Sequence, residues 1–465
     1  MEKLIQHLWE KFLLVGEKVL DALEGKTTYP ELEVQVKEAL NSLGNDIMKM
    51  VIEGQDEYLV EHREARPGWV VERRKEEKRV ITVFGEMVYQ RTYFYNKESQ
   101  TYAHLADTYA GYSPHMRIEE PAKAILTDMA SEQSYHRSGK GPQEYGWGES
   151  VSGQTVKNAV GKLVIPKWSE GETSQVKRTV RFLYIEADED HVARQDKKGR
   201  MAIPLIYVHE GVKEVCKGRK QLQEARYFSG PYNTIEDQWY DVLDYIDNRY
   251  DLDQVERIYI SGDGAPWIRS GIEIIPKSVF VLDQFHLSKY IMAAVGPYPK
   301  RQAAIWKHIE DGKLESVLAV FSEAEKAHPE RQKAISRAKR YIENQWDGIE
   351  AQKRYREELL GCSAEGHVSH ILSARLSSRP GAWSKAGAEQ MAGLRAAKAN
   401  GVNIQEMYLA QQPKVEKVLH LDADKLQQAR KKMSRNAAEM LHNMPILNGP
   451  QSPLTRALRA LIHAA

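Results

Sequence analysis

The stretch Ile258-Tyr-Ile-Ser-Gly-Asp-Gly-Ala-Pro-Trp-Ile268 decides the fold, together with Ser278-Val-Phe-Val-Leu-Asp-Gln-Phe-His286 that follows it. Each half reads as a short strand of β-branched and aromatic residues ending at a carboxylate, Asp263 in the first and Asp283 in the second. Small residues flank Asp263, so the space around its carboxylate suits a metal ion or a polarised water. An acid placed in this way invites partners from elsewhere in the chain.

Upstream, Val180-Arg-Phe-Leu-Tyr-Ile-Glu-Ala-Asp188 and Met201-Ala-Ile-Pro-Leu-Ile-Tyr-Val208 read as strands, and a third short strand covers about 225–228. Trp239, Val242, Leu243 and Ile246 then mark one face of a helix over 235–250. The order strand, strand, strand, helix, strand, strand predicts an α/β domain with a mixed five-stranded sheet, in which three antiparallel strands feed a parallel pair. The first and fourth strands are then central neighbours, which sets Asp188 beside Asp263. Two close carboxylates raise each other's pKa unless a cation neutralises them, so the pairing predicts a divalent metal. Strand alternation also places Glu186 and Asp190 on the face that carries Asp188.

A third acid should approach from a helix after the sheet. Glu365 in Gly361-Cys-Ser-Ala-Glu-Gly-His-Val-Ser-His-Ile-Leu372 precedes an apolar helical pattern, and Glu389 in Gly387-Ala-Glu-Gln-Met391 is its rival. Two Mg2+ ions held by Asp188, Asp263 and Glu365, with Mn2+ as a substitute, would activate an attacking oxygen and stabilise a leaving one in an in-line phosphoryl displacement. His286 is placed to orient a phosphate, donate a proton or position a metal-bound water, with Asp283 capping its helix and orienting it. Each residue also has an ordinary structural reading, since a strand-terminal Asp is a common turn former or N-cap. Arg375, Arg379, Trp383 and Arg395 would contact DNA phosphate or stack a base, or else serve the surface and the core.

Composition bounds the remainder. A chain of 465 residues implies two or three packed units, and 66 Lys+Arg against 65 Asp+Glu leave a net charge of +1, so any nucleic-acid surface must be local. Cys216 and Cys362 stand far apart in no ligand-spaced motif, which fits a reducing cytoplasmic setting without a zinc module. No uncharged apolar run is long enough to span a bilayer.

Before the sheet, apolar residues recur at helical spacing from Leu4 to about 53, and a β-hairpin near 79–95 is joined at Gly85-Glu86. The basic cluster Arg73-Arg74-Lys75 with Lys78-Arg79 leads into that hairpin. A helix near 119–135, a glycine-rich loop Ser138-Gly-Lys-Gly141 and a Ser152-capped helix over 152–163 form either a helix-turn-helix or an ordinary packed pair. In the first case Gln154, Lys157, Asn158 and Lys162 would face a DNA groove. After the sheet, residues 288–360 read as an all-helical insertion, and 401–465 as a helical segment, locally basic from Lys425 onward and including Lys431.

Five stretches carry a family resemblance: Arg79-Val-Ile-Thr-Val-Phe-Gly-Glu-Met-Val-Tyr-Gln-Arg-Thr-Tyr93, Ile185-Glu-Ala-Asp-Glu-Asp-His-Val192, Ser261-Gly-Asp-Gly264, Leu282-Asp-Gln-Phe-His-Leu-Ser-Lys-Tyr290 and Leu376-Ser-Ser-Arg-Pro-Gly-Ala-Trp-Ser384. With them the chain resembles the ISLre-type DDE transposases of bacterial insertion sequences, long catalogued as an uncharacterised protein family and related to Mutator-like and ISL-type transposases. The resemblance implies a ribonuclease H-like catalytic core over 176–287 and 361–400, the latter carrying the last catalytic helix, interrupted by the insertion. It implies catalytic roles for Asp188, Asp263, Glu365 and His286, with the three acids holding Mg2+. It also implies a DNA-binding region over 1–168, with Arg73, Arg74, Lys75, Lys157, Lys162, Arg375, Arg379 and Lys431 as DNA contacts. The partners would be double-stranded DNA, both terminal inverted repeats and target, bound by a homodimer in the bacterial cytoplasm at the nucleoid. A nuclease without strand transfer and a domesticated DNA-binding protein are the alternatives.

Overall fold

A computed structural model describes residues 2–167 and 176–413, together with 427 and 431. The chain divides into two compact units, one of residues 1–122, 145–149 and 413–465, the other of residues 123–144 and 150–412.

In the first unit, the helices Glu2–Leu23 and Tyr29–Glu61 precede the strands β1 (Trp69–Thr82), β2 (Gly85–Asn96) and β3 (Tyr102–Ala103), which form an antiparallel sheet in that order. The hairpin is longer than the apolar pattern suggested, and its turn is Val83-Phe84, because Thr82 pairs directly with Gly85. Thr82 Oγ1 closes that turn by accepting from the Phe84 amide at 3.0 Å. Lys78 does not belong to an exposed basic cluster. It lies on the same inward face as Val80, is buried, and binds Asp107 at 2.9 Å. Arg91 and Tyr89 also donate to Asp107. Arg73, Arg74 and Lys75 are exposed where the register of β1 against β2 shifts.

The second unit contains β4 (Phe182–Ala193), β5 (Arg200–His209), β6 (Gly211–Cys216), β7 (Arg219–Gln223), β8 (Arg226–Phe228), β9 (Arg257–Gly262) and β10 (Ser278–Leu282). Its mixed sheet has the order β10-β9-β4-β5-β8, with β4, β9 and β10 parallel and β5 antiparallel to both β4 and β8. The expected five strands and their neighbours are therefore present. The separate β6-β7 hairpin escaped the pattern reading because most of its residues are exposed, with no apolar alternation to signal it. The expected helix is Ile235–Arg249, closed at its start by a Thr234/Asp237 capping box. Leu183, Ile185, Ile258, Ile260, Trp239 and Phe321 share one buried core that joins the sheet to the helical insertion. That insertion comprises Pro299–Asp311, Leu314–Ala327, Gln332–Asn344 and Trp346–Arg354.

The segment Ser138–Gly141 is helical rather than a loop, lying in Tyr135–Gly139 and Gly141–Glu144. Its glycines serve close packing, since a Cβ on Gly139 would stand 2.2 Å from the Val151 carbonyl oxygen. Ser152 does cap the helix Gly153–Lys162, accepting from the Thr155 amide at 3.2 Å. These helices, read from sequence as part of region 1–168, pack within the second unit. Lys398 binds Asp128 at 2.8 Å, and Gln390 donates to the Val160 carbonyl at 3.0 Å. The region 361–400 is not one continuous helix. Helix Ala364–Val368 runs through a π-helical turn, Ser369–Ser373, and the short helix Ala374–Leu376; the chain then leaves helical geometry before helix Lys385–Ala399. Lys431 is exposed, and most of the basic segment beyond 413 lies outside the described residues. Among the described residues no helix is long and apolar enough to cross a membrane.

Candidate functional site

Strand β4 sends Leu183, Ile185 and Ala187 into the core and turns Glu186, Asp188 and Asp190 to its other face. The last paired residues of β4 and β9 are Glu186 and Ser261. Asp188 lies two residues beyond Glu186 on β4, and Asp263 directly follows Gly262, the last residue of β9, close enough for the charge of each to be felt at the other. Gly262 allows the approach, since a Cβ there would lie 2.8 Å from the Ala187 carbonyl oxygen. Gly264, at φ +87°, leaves room for Gln345, whose amide donates to the Gly264 carbonyl at 3.0 Å. Tyr341 donates to the Asp263 carbonyl at 2.6 Å, so the insertion helices hold the loop that carries the acid.

Asp188, Asp263, His286 and Glu365 line one cleft of about 520 Å3, with Glu189, Asp190, Arg200 and Lys289. Four segments distant in sequence thus bring together the four residues singled out as catalytic. Glu389, the rival third acid, does not line this cleft and pairs with Lys385 at 3.6 Å. Asp283 does what its position implied: Oδ1 accepts from the Phe285 amide at 3.1 Å, and Oδ2 holds His286 Nδ1 at 2.7 Å. That hydrogen bond, with the nearby charges of Asp283, Asp188 and Asp263, raises the His286 pKa against the effect of burial.

The electrostatics of the acids differ along β4. Burial pushes the Asp188 carboxyl up to about 6, with the Asp263 and Glu189 charges adding to the shift; only its hydrogen bond from the Glu189 amide and the His286 charge oppose it. Asp190 accepts from Ser377 Oγ at 2.7 Å, while its buried Oδ2 has no hydrogen-bond partner. A raised carboxyl beside a second aspartate, with an orphaned carboxylate oxygen lining the same cleft, supplies oxygen donors of the kind that hard divalent cations take. Among the described residues, no group of three or more His, Cys, Asp or Glu side chains is arranged to hold a metal. The fit is therefore to an ion between aspartates, with Glu365 facing the same cleft rather than closing a cage.

Sequence reading missed what anchors Glu365. Glu186 is buried and accepts from Tyr207 Oη at 2.5 Å, His209 Nε2 at 3.0 Å and Ser363 Oγ at 3.2 Å, and from the Ser363 amide. Ser363 immediately precedes the helix bearing Glu365, so Glu186 ties that helix to the strand bearing Asp188. The available signal was the alternation of Glu186 with Asp188.

The DNA contacts expected in this unit divide. Gln154, Lys157, Asn158 and Lys162 are exposed while Val156, Ala159 and Val160 are buried, so the helix presents the polar face expected of it. Arg379 is exposed. Arg395, in contrast, is structural: it donates to the carbonyls of Ile371 at 2.8 Å and His370 at 2.7 Å, and pairs with Glu132 at 2.6 Å.

Residues 23–413 match the uncharacterised protein family UPF0236. A UPF0236 protein of Caldanaerobacter subterraneus subsp. tengcongensis is 40% identical over 452 residues, which cover 96% of this chain and 95% of that protein. A second from the same organism, whose name joins eleven locus designations, is 39% identical over 452 residues, 96% of this chain and 94% of that protein. A UPF0236 protein from Streptococcus gallolyticus, described as lying in the 3′ region of vanSb, is 25% identical over 390 residues, 80% of this chain and 83% of its own length.

Proposed function

The chain belongs to the uncharacterised protein family UPF0236, and on that footing we propose that it is a DDE transposase with a ribonuclease H-like core, moving an insertion sequence by DNA cleavage and strand transfer. The observation that carries this reading is the convergence of Asp188, Asp263, Glu365 and His286 on one cleft. The sheet order, with an antiparallel limb feeding a parallel pair and a helical insertion before Glu365, agrees with it. So does a close relative named for eleven loci of one genome, since dispersed copies are what mobile DNA leaves behind.

Asp188 and Asp263 would hold Mg2+, or Mn2+ in its place, beside Asp190 and Glu365. When bound, the metal supplies Lewis-acid activation of the attacking oxygen and stabilisation of the leaving one. His286, whose pKa is raised by its hydrogen bond to Asp283, would in its protonated form attract the scissile phosphate and give a proton to the leaving oxygen. Arg200 and Lys289 line the cleft where the non-bridging oxygens would lie. In the first step water attacks phosphorus and the bond to the 3′ oxygen breaks, freeing a 3′-OH. In the second step that 3′-OH attacks a target phosphodiester, loses its proton and displaces another 3′ oxygen. The partner is double-stranded DNA, inverted repeats and then target, and a dimer would join the two ends. The exposed Arg73, Arg74, Lys75, Lys157, Lys162 and Lys431 would serve phosphate contacts.

Asp263→Asn tests the reading. It should abolish Mg2+-dependent cleavage of an element-end duplex and leave binding of that duplex intact; cleavage retained by the variant sinks the mechanism. Cleavage without joining by the unaltered chain would reduce the activity to that of a nuclease.

A further inference from the structure

The segment Leu376-Ser-Ser-Arg-Pro-Gly-Ala-Trp-Ser384 begins at the acid cleft, where Ser377 holds Asp190, and leads to a second cavity of about 330 Å3. Gly381 lines both cavities. The second cavity is walled by Trp383, Tyr135, Arg375, Arg379 and Lys157. Trp383 is fixed to the end of β4: its amide donates to the Ala193 carbonyl at 2.8 Å, and its carbonyl accepts from the Gln195 amide at 3.0 Å. The Tyr135 ring stands edge-on to the indole with centroids 6.0 Å apart. The Arg375 guanidinium lies 4.8 Å from the Trp383 centroid and 5.2 Å from that of Tyr135.

The charges of this cavity are unbalanced. Arg375 Nε donates to the Ala130 carbonyl at 2.8 Å, and among the described residues neither Arg375, Arg379 nor Lys157 forms an ion pair with a carboxylate. The acid at the rim, Glu132, is engaged by Arg395 at 2.6 Å and Lys398 at 3.4 Å. Three cations without an anion, Arg375 half-buried and Lys157 and Arg379 exposed, suit an anionic group, and the two aromatic rings offer a face or edge to a flat ring. A purely apolar ligand leaves the cations unmet, and a bare phosphate leaves the rings unused. A nucleotide satisfies both, and a cavity of this size lies within the range that encloses small ligands.

Resting on the phosphodiester chemistry proposed for the neighbouring cleft, we propose that this cavity receives an unpaired nucleotide of the DNA strand being cut. Its base packs against Trp383 and Tyr135, and its phosphate sits on Arg375, Arg379 and Lys157. Continuity at Gly381 puts that nucleotide next to the phosphodiester in the acid cleft.

The test uses the full chain with a single-stranded oligonucleotide carrying 5-iododeoxyuridine and with the matching duplex. Irradiation should crosslink the single strand to a peptide containing Trp383 or Tyr135. Trp383→Leu should weaken single-strand binding about tenfold, the scale of one lost base stack, and leave duplex binding unchanged. Trp383→Phe, which keeps a stacking ring, should restore most of the affinity and controls for misfolding, as does the pair of exposed changes Lys157→Ala and Arg379→Ala, which should weaken binding without disturbing the fold. Crosslinks confined to other peptides, or equal losses on single strand and duplex from Trp383→Leu, overturn the proposal. The crosslink should persist in Asp263→Asn. A chain that crosslinks at Trp383 yet cleaves no DNA leaves this cavity assigned and the cleft reading refuted; a chain that cleaves DNA and is indifferent to Trp383→Leu does the reverse.

Discussion

Glu186 and Asp188 stand two residues apart on one face of β4, and their surroundings are opposite. Burial would push the Glu186 carboxyl up, but hydrogen bonds from His209 and Tyr207, the His209 charge and the Ser363 amide hold it below the usual carboxylate range. Burial also acts on Asp188, with only the Glu189 amide and the more distant His286 charge to answer it, and the carboxyl rises to about 6. The first acid has its donors built into the protein and is structural; the second is left short of positive charge beside a like charge at Asp263. Asp107 in the other unit repeats the first case, with Lys78, Arg91 and Tyr89 all upon it. A buried acid answered by the protein holds the fold, whereas a buried acid left unanswered waits for a ligand.

The largest expected effect separates the two remaining glutamates. Glu365→Gln should lower metal-dependent cleavage by about 10^3-fold, the size of losing one preorganised charge-stabilising group, and Glu389→Gln should leave cleavage near the wild-type rate. Equal losses would return Glu389 to contention. Glu186→Gln should next cost about 3 kcal/mol in urea unfolding, because several buried donors lose an ionised acceptor at once. If it also lowers kcat more than KM, the coupling from Glu186 through Ser363 to Glu365 is supported; an unchanged kcat in the folded variant would break it.

Asp188 should show the opposite sign. Its folded pKa lies above the usual 3.8, so the fold favours the neutral acid. Stability of the metal-free protein should fall as pH rises from about 4 to 6, by up to about 3 kcal/mol at 1.4 kcal/mol per unit. His286 is raised too, so its contribution is full below its usual 6.5 and is lost as pH rises through its folded value. Asp188→Asn should remove the first fall, be more stable than wild type at pH 7 without metal, and no longer gain melting temperature from Mg2+. A variant still stabilised by Mg2+ would place the ion elsewhere. The smallest effect is expected from Ser377→Ala, about 1 kcal/mol for the hydrogen bond lost to Asp190, measured by thermal unfolding.

Much of this site was legible because its signals are local. β-branched runs gave the strands, their order placed Asp188 beside Asp263, and the spacing in Asp283-Gln-Phe-His286 already implied a cap that orients a histidine. Other features were read wrongly for the same reason. Ser138-Gly-Lys-Gly141 has the composition of a loop, yet its glycines sit in helices, Gly139 pressed against Val151 and Gly141 against Met129. Lys78 has the composition of a surface cluster, yet it lies inward on Asp107.

By itself, the sequence determined the sheet, the two aspartates at its centre and the capped histidine, since each follows from periodicity or neighbouring residues. Only the tertiary structure put Glu365 in the cleft and Glu389 outside it, found the anchor from Glu186 to Ser363, and gathered Tyr135, Lys157 and Trp383 round one cavity. The physical reason is separation along the chain: Glu186 and Ser363 are 177 residues apart, and contacts at that range leave no period in the sequence. They arise from the packing of the elements, and there the local signal ends.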